Sequence, residues 1–208
     1  MVSCIAVHPT QLGTYALGSY SRSVGLYADS AKGPIFVLQD TDNAVTHLQF
    51  SLDGQYLFSG ARKSNLIQCW DMRQPGIVLY KFKREVTTNQ RIYFDLYSNG
   101  QFMLSGGTNG CLYSWNLENP VVDENGFVVA QNVLQVHKDA VSGCSVHPSL
   151  PLLATCSGQR KFVLPSMDGD SESEEELEKF ENSVKIWSLL GTRTGSYNEL
   201  LGQAPSFV

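Results

Sequence analysis

The sequence predicts an all-β fold built from four similar units, each of about four strands. Short runs of β-branched, aliphatic and aromatic residues alternate with turn dipeptides such as Asp53-Gly54 and Asn99-Gly100, in which Gly and Asn tolerate positive φ. The apolar residues that end the first strand of each unit recur at intervals of 43, 46 and 50 residues. This period is close to the roughly 40–45 residues of one four-stranded β-propeller blade.

Each unit follows one plan of three inner strands and an outer strand. The first strands are expected at 4–7, 45–50, 92–96 and 141–146. The second and third strands are expected at 15–19 and 24–27, 56–60 and 66–71, 102–106 and 111–116, and 152–158 and 184–188. Outer strands are expected at 35–38, 77–82 and 133–136. The blades therefore span about 1–40, 41–84, 85–137 and 138–190.

Aromatic residues at the ends of the third strands are typical of WD-type repeats. Trp70, Trp115 and Trp187 are expected to be structural, because a large ring at this place packs between neighbouring sheets. His137 occupies the position of the Gly-His element of such repeats, where the imidazole joins a network with a strand hydroxyl and the Trp. His137 is therefore also interpreted as structural.

Four blades make up only part of a ring of this kind. We interpret the chain as a partial WD-repeat β-propeller, about four of roughly seven blades. The sequence opens directly in a strand, so we expect the C-terminal part of a larger propeller or a shortened form of one. An incomplete ring leaves blade faces exposed.

One acidic segment dominates the charge of the chain. The formal net charge is −5, but residues 168–181 hold eight acidic residues and one lysine, so the rest of the chain carries +2. The composition predicts a disordered acidic insertion over 163–182, within the last blade, and a C-terminal tail over 191–208. Ser171 and Ser173 lie among acidic residues, a setting that acidophilic kinases favour.

Several functional classes are not supported by the sequence. The five cysteines are dispersed without a CxxC pair, which favours buried thiols in a reducing intracellular compartment. The dispersed histidines and cysteines show no metal-ligand spacing, so no metal or cofactor is expected. No nucleophile elbow, phosphate loop or paired carboxylates appear, so no enzymatic activity or small-molecule substrate is expected. No apolar run of 18 residues or signal-peptide pattern occurs, so no membrane association is expected.

Several stretches contain particular residues that the geometry of a propeller blade does not require. These are residues 59–63 with 69–74, 84–96 and 147–160. They resemble the WD-repeat telomerase Cajal body protein family, over residues 3–162 and again weakly over 183–188. The resemblance implies a nuclear RNA-binding scaffold that recognises a short box in small Cajal body RNAs and in telomerase RNA. It also implies that the scaffold directs these ribonucleoproteins to Cajal bodies.

RNA binding requires cations for phosphates and flat groups for unpaired bases. Cations cluster at the turns between second and third strands, which share one rim of a propeller, and around block 84–96. The candidate RNA-binding residues are Arg22, Arg62, Lys63, Arg84, Arg91, Arg160 and Lys161. The alternative is that these cations are ordinary solvent-exposed residues that keep the rim hydrated and bind no ligand. Tyr93 is either a stacking ring or a core ring, and its apolar strand favours the core.

Two functions are consistent with this pattern. The first is an RNA-binding scaffold for small Cajal body RNA and telomerase RNA that acts with ribonucleoprotein proteins in the nucleus. The second is a protein–protein adaptor propeller without direct RNA contact. In either case Arg91 and Asp95, four residues apart on one strand, are expected to pair. The acidic insertion is expected to compete with RNA for Arg160 and Lys161.

Overall fold

The computed structural model describes residues 1–97, 100–159 and 181–189. Within these ranges the chain forms four antiparallel sheets and no helix, and we number the sheets 1 to 4 in chain order. In each sheet the strands follow one another as a meander, so that every strand pairs with its neighbours in sequence. The prediction of an all-β fold with four propeller-like units is confirmed.

The strands have the following bounds. Sheet 1 contains β1 (Val2–Val7), β2 (Thr14–Ser19), β3 (Ser23–Ala28) and β4 (Phe36–Leu38). Sheet 2 contains β5 (Val45–Phe50), β6 (Tyr56–Ala61), β7 (Leu66–Asp71) and β8 (Val78–Lys83). Sheet 3 contains β9 (Phe94–Tyr97), β10 (Phe102–Gly106), β11 (Cys111–Asn116) and β12 (Asn132–Gln135). Sheet 4 contains β13 (Val141–Val146), β14 (Leu152–Ser157) and β15 (Val184–Ser188).

The first strand of sheet 3 begins later than the sequence predicts. β9 starts at Phe94 rather than at Ile92. The backbone N–H of Tyr93 donates to the carbonyl of Ser142 in sheet 4, at 3.0 Å, so this residue pairs outside its own sheet. Ile92 is nevertheless buried, at 1% exposure, because the connection to β9 packs into the core.

The meander gives every sheet two rims. The turns between second and third strands lie at one end, together with the links that lead from one sheet to the next. We call this end the upper rim. The turns between first and second strands and between third and fourth strands lie at the other end, which we call the lower rim. Sequence position within a repeat therefore decides the rim on which a turn residue lies.

Each pair of consecutive sheets shares one apolar core. The core between sheets 1 and 2 includes Leu38 and Trp70, both of which are completely buried. The core between sheets 2 and 3 contains Trp115, and that between sheets 3 and 4 includes the fully buried Leu153, with Trp187 packed against it. Sheets that pack face to face in chain order are the arrangement of successive blades in a propeller.

The outer faces of the first and last sheets carry exposed apolar side chains. On β1 the exposed fractions are 59% for Ile5 and 70% for Val7, and on β15 they are 72% for Val184 and 58% for Ile186. Adjacent sheets of a propeller pack on faces of this kind. The array of four sheets therefore has the exposed faces expected of part of a ring.

A close approach at the lower rim requires glycine. Gly54, in the turn after β5, has φ +73°, and a Cβ added there would clash with the imidazole ring of His8. The His8 ring is held because its Nδ1 accepts from the backbone N–H groups of Thr10 and Gln11, at 3.3 and 3.1 Å. The turn therefore brings sheets 1 and 2 together only if residue 54 has no side chain.

Candidate nucleic-acid interface

The upper-rim turns of sheets 1 and 2 present cations in matched positions. Arg22 follows β2 with φ 60°, and Lys63 follows β6 with φ 46°. Both are exposed, and both adopt the left-handed conformation that non-glycine residues seldom adopt outside tight turns. Arg22 donates from Nη2 to the carbonyl of Asp42 at 3.0 Å, and the N–H of Lys63 donates to the carbonyl of Thr88 at 3.2 Å. The turns thus hold both cations at the same rim.

Arg62 joins the two turns through an aromatic ring. Its guanidinium carbon lies 4.1 Å from the centroid of the Tyr20 ring, and its Nη2 donates to the Tyr20 hydroxyl at 2.7 Å. Arg62 and Tyr20 are both half-buried, so the pair is partly accessible to solvent. Tyr20 is not among the candidate residues predicted from the sequence.

Arg91 forms a second guanidinium–aromatic pair on the link between sheets 2 and 3. Its guanidinium carbon lies 5.5 Å from the centroid of the Tyr93 ring, and Nη1 donates to the Tyr93 hydroxyl at 3.0 Å. Nη2 donates to the carbonyl of Ser3 in β1 at 2.8 Å. Tyr93 is 38% exposed, so the expectation that its ring belongs to the core is wrong.

Next to Tyr93 lies the half-buried imidazole of His47. The His47 ring centroid is 4.8 Å from that of Tyr93 and 4.6 Å from that of Phe94. One ring nitrogen of His47 lies 3.2 Å from the carbonyl oxygen of Phe94. Burial lowers the pKa of His47 to about 4, so the imidazole is neutral at physiological pH. It supports the Tyr93 ring and adds no charge to the rim.

The expected pair between Arg91 and Asp95 does not form. Oδ1 of Asp95 accepts from the side-chain amide of Gln49 at 2.8 Å, and Oδ2 accepts from the N–H of Val146 at 2.8 Å. The prediction assumed one regular strand through both residues, but β9 begins at Phe94. Asp95 instead connects sheet 3 with both neighbouring sheets.

Arg84 is not at the surface, which corrects its assignment as an RNA-binding candidate. It is only 3% exposed, and its Nη1 donates to Ser105 Oγ at 2.6 Å and to the carbonyl of Ile92 at 3.2 Å. Burial lowers the pKa of Arg84 to about 10, so the guanidinium still carries its charge at neutral pH. Because those N–H groups are used inside the fold, Arg84 is a structural residue.

The role of Arg84 can be explained by comparison with the hydrogen-bond network of sheet 4. There His137 Nε2 lies 2.8 Å from Thr155 Oγ1, and the same oxygen accepts from Trp187 Nε1 at 2.8 Å. Sheet 2 has the bond between the tryptophan and the strand hydroxyl: Trp70 Nε1 donates to Ser59 Oγ at 2.9 Å.

Arg84 takes the place of the histidine in sheet 3. The hydroxyl of Ser105 accepts from Arg84, and Nε1 of Trp115 has no hydrogen-bond partner among the described residues. Trp115 is nevertheless completely buried, so its role is packing.

An acidic residue that sequence reasoning did not single out completes the network of sheet 4. Glu181 accepts from the N–H of Lys138 at 2.6 Å and from Lys185 Nζ at 2.8 Å, and His137 Nδ1 lies 3.0 Å away. Burial alone would raise the pKa of Glu181. Hydrogen bonds from Lys185, Ser183, Lys138 and His137 outweigh this effect and hold the pKa well below its ordinary value. Glu181 therefore fixes the end of the acidic segment to sheet 4.

The remaining sequence predictions fall on other parts of the chain. Arg160 and Lys161, most of the acidic insertion 163–182 and the tail 191–208 lie outside the described residues. In the three described ranges, no group of three or more His, Cys, Asp or Glu side chains is placed to hold a metal ion. Among the same residues, no helix has the length and apolar character needed to cross a membrane.

Comparison with known proteins finds WD repeats in the chain and several similar proteins. Residues 32–71 and 129–164 match the family model described as WD domain, G-beta repeat. Telomerase Cajal body protein 1 of Mus musculus is 48% identical over 178 residues, which is 86% of this chain and 33% of that protein. The Homo sapiens protein of the same name is 50% identical over 174 residues, or 84% of this chain and 31% of the relative.

A more distant relative extends the comparison. The Telomerase Cajal body protein 1 homolog of Drosophila melanogaster is 36% identical over 176 residues, covering 82% of this chain and 31% of that protein. The chain thus spans about a third of the length of the curated relatives that it matches. With its four antiparallel sheets and its WD repeats, the chain is a WD-repeat protein that is similar over most of its length to telomerase Cajal body protein 1.

Proposed function

We propose that this chain is a non-catalytic, RNA-binding scaffold of nuclear Cajal bodies. Its ligands are small Cajal body RNA and telomerase RNA, and it acts together with ribonucleoprotein proteins. The names of the relatives, which refer to telomerase and to the Cajal body, support the ligand class and the location. The chemistry of the upper rim supports RNA binding.

The observation that carries the proposal is the pairing of guanidinium groups with aromatic rings on one rim. Arg62 lies over Tyr20 at 4.1 Å, and Arg91 lies beside Tyr93 at 5.5 Å. Unpaired bases stack on rings and on guanidinium planes, while nearby cations neutralise the phosphates. The exposed Lys63 lies beside Arg62 in sequence and supplies such a cation. The combination suits single-stranded RNA better than a regular duplex.

The strength of this electrostatic contribution can be estimated. If the four candidate cations Arg22, Arg62, Lys63 and Arg91 each neutralise a phosphate, a single-stranded RNA would show a salt slope of about −3 in a plot of log K against log salt. Asp42 and Glu85 lie on the same rim and reduce its net charge. Stacking on the rings is therefore needed for affinity at physiological salt.

The proposal is tested by a salt titration of binding to telomerase RNA, followed by fluorescence anisotropy. Lys63→Ala should reduce the magnitude of the salt slope by about 0.7, because it removes one of the four phosphate contacts to a single strand. Arg73→Ala is the matched control. Arg73 also lies over a tyrosine ring, at 5.3 Å from the centroid of Tyr56, but on the lower rim. Equal slopes for wild type and Lys63→Ala, or an equal loss in the control, would contradict the proposal.

A charge reversal at Lys63 distinguishes the scaffold from an adaptor without RNA contact. If Lys63→Glu leaves RNA affinity unchanged but abolishes binding of a ribonucleoprotein protein, the upper rim is a protein interface. If Lys63→Glu weakens RNA binding, the rim contacts RNA. Both outcomes are read from one preparation, because the substitution lies on an exposed turn.

The acidic segment supports a regulatory extension of the proposal. Residues 166–181 carry a strong negative charge, and the described end of the segment, Glu181, is bound to sheet 4 near the upper rim. Deleting residues 166–180 should raise RNA affinity at low salt, because a competing polyanion is removed. Retaining Glu181 in the deletion preserves the contact with His137. Unchanged affinity would refute the competition.

A further inference from the structure

A groove of about 380 Å³ opens on the lower rim, between sheets 2 and 3. Its floor is formed by Phe58, Cys69 and Phe82, which belong to the buried cluster shared by these sheets. Ligand sites are commonly concavities of roughly 300–1,000 Å³ with an apolar floor and a few polar groups at the edge. The groove lies at the opposite end of the sheets from Lys63, so the proposed RNA surface does not use it.

An irregularity of the outer strand places a leucine at the groove. In the ladder between β7 and β8, Cys69 pairs with Tyr80 and Trp70 pairs with Val78, so Leu79 is an extra residue without a partner in register. A bulge of this kind redirects a side chain, and such bulges are frequent at sheet edges beside binding sites. Leu79 lines the groove and is 40% exposed.

The other edge of the groove carries a second exposed leucine. Leu52, in the turn between β5 and β6, lines the groove and is 58% exposed. The half-buried rings of Tyr56 and Tyr80 line it as well. An apolar side chain that enters from solvent would therefore contact leucine and aromatic carbon on several sides.

The charged groups that line the groove are both acidic. They are Asp53 and Glu118, and no lysine or arginine occurs among the described lining residues. Asp53 Oδ1 accepts from Ser51 and Gln55, and Glu118 Oε2 accepts from Gln101, which leaves the second oxygen of each carboxylate able to accept from a ligand.

Arg73 is a cation close enough to Asp53 to lower the pKa of that carboxyl. It lies over Tyr56 and is held by Asp71 in an ion pair of 2.8 Å. Its charge is therefore largely compensated by Asp71. The edge of the groove keeps its acidic character and complements a basic ligand.

We propose that this groove binds a short extended segment of a partner protein in which an aromatic or leucine side chain stands next to a lysine or arginine. The apolar side chain enters between Leu52 and Leu79, and the basic side chain meets the carboxylates of Asp53 and Glu118. Burial of one large apolar side chain, with a charged contact at the edge, is the usual basis of short-peptide recognition. The protein thus has a peptide site on one rim and the proposed RNA surface on the other.

The test is selection of a random dodecapeptide phage library on the 208-residue chain, followed by anisotropy with the enriched peptides after synthesis and fluorescent labelling. The expected consensus is an aromatic residue or leucine adjacent to lysine or arginine. Leu52→Asp should weaken binding about tenfold to a hundredfold, because it replaces the apolar contact by a charge. Glu118→Gln should weaken binding less and should make it less sensitive to salt.

Leu12→Asp is the matched control for Leu52→Asp, because Leu12 is fully exposed in the equivalent turn of sheet 1, outside the groove. It should bind the peptides as wild type does, as should Lys63→Ala on the upper rim. Selection without a consensus would overturn the proposal, and so would peptides that bind Leu52→Asp and Leu12→Asp equally well. Neither result bears on RNA binding, which is measured with the upper-rim variants.

Discussion

The hydroxyl of Thr155 provides the sharpest test of the network in sheet 4. Thr155 is 1% exposed, and its Oγ1 lies 2.8 Å from both His137 Nε2 and Trp187 Nε1. Thr155→Val keeps the shape of the side chain but removes both hydrogen bonds. Each polar group left unpaired in the interior costs about 1–3 kcal/mol. We therefore expect the free energy of unfolding to fall by about 2–4 kcal/mol, equivalent to roughly 5–15 °C in Tm for a chain of this length.

The assay is urea unfolding followed by circular dichroism, in which the midpoint should fall while the m-value stays constant. Ser59→Ala is the comparison, because Ser59 accepts a single such bond, from Trp70 Nε1 at 2.9 Å. It should cost about half as much as Thr155→Val. A change of less than about 0.5 kcal/mol for Thr155→Val, the range of ordinary surface substitutions, would refute the reasoning.

Two further predictions concern pH and a turn. Burial lowers the pKa of His47 from 6.5 to about 4 in the folded chain. As the pH falls, His47 is therefore protonated in the unfolded chain before it is protonated in the folded chain. Stability should therefore decrease from pH 6.5 towards pH 4, by up to about 3 kcal/mol, and His47→Gln should flatten the dependence in urea titrations. Gly54→Ala should destabilise the fold more than Gly126→Ala in thermal unfolding. Both glycines have positive φ, but only at Gly54 would a Cβ meet a ring, that of His8. Equal losses for the two glycines would show that the contact is unimportant.

The repeat could be predicted because it depends on local chemistry. Trp70 and Trp115 mark the ends of third strands, and the turn dipeptide Asp53-Gly54 marks the preceding hairpin, so the sheets follow from spacing alone. The upper-rim positions of Arg62 and Lys63 also follow from their place in the repeat. What could not be derived is which cations reach solvent, because this depends on partners distant in sequence.

Arg84 illustrates this limit. A charged residue is usually at the surface, and nothing in the sequence around Arg84 indicates that the side chain would find its partners inside the fold. Its partner Ser105 lies 21 residues away, in another strand. One signal was available: Arg84 follows an outer strand, as His137 does, and so occupies the position whose side chain turns towards the strand hydroxyl. Arg91 and Tyr93 were misjudged for a related reason, since a short link replaces the regular strand that was assumed.

The contact between Arg91 and Ser3 has a consequence for how the array comes apart. In stacked repeats each unit normally touches only its neighbours, so terminal units can detach one at a time. Arg91 precedes sheet 3 but donates to the carbonyl of Ser3 in sheet 1, at 2.8 Å, and so reaches past sheet 2. Loss of the first sheet therefore breaks a bond at the entrance to the third. Fraying from that end should be suppressed, and amide exchange in β1 should follow the opening of the link that carries Arg91.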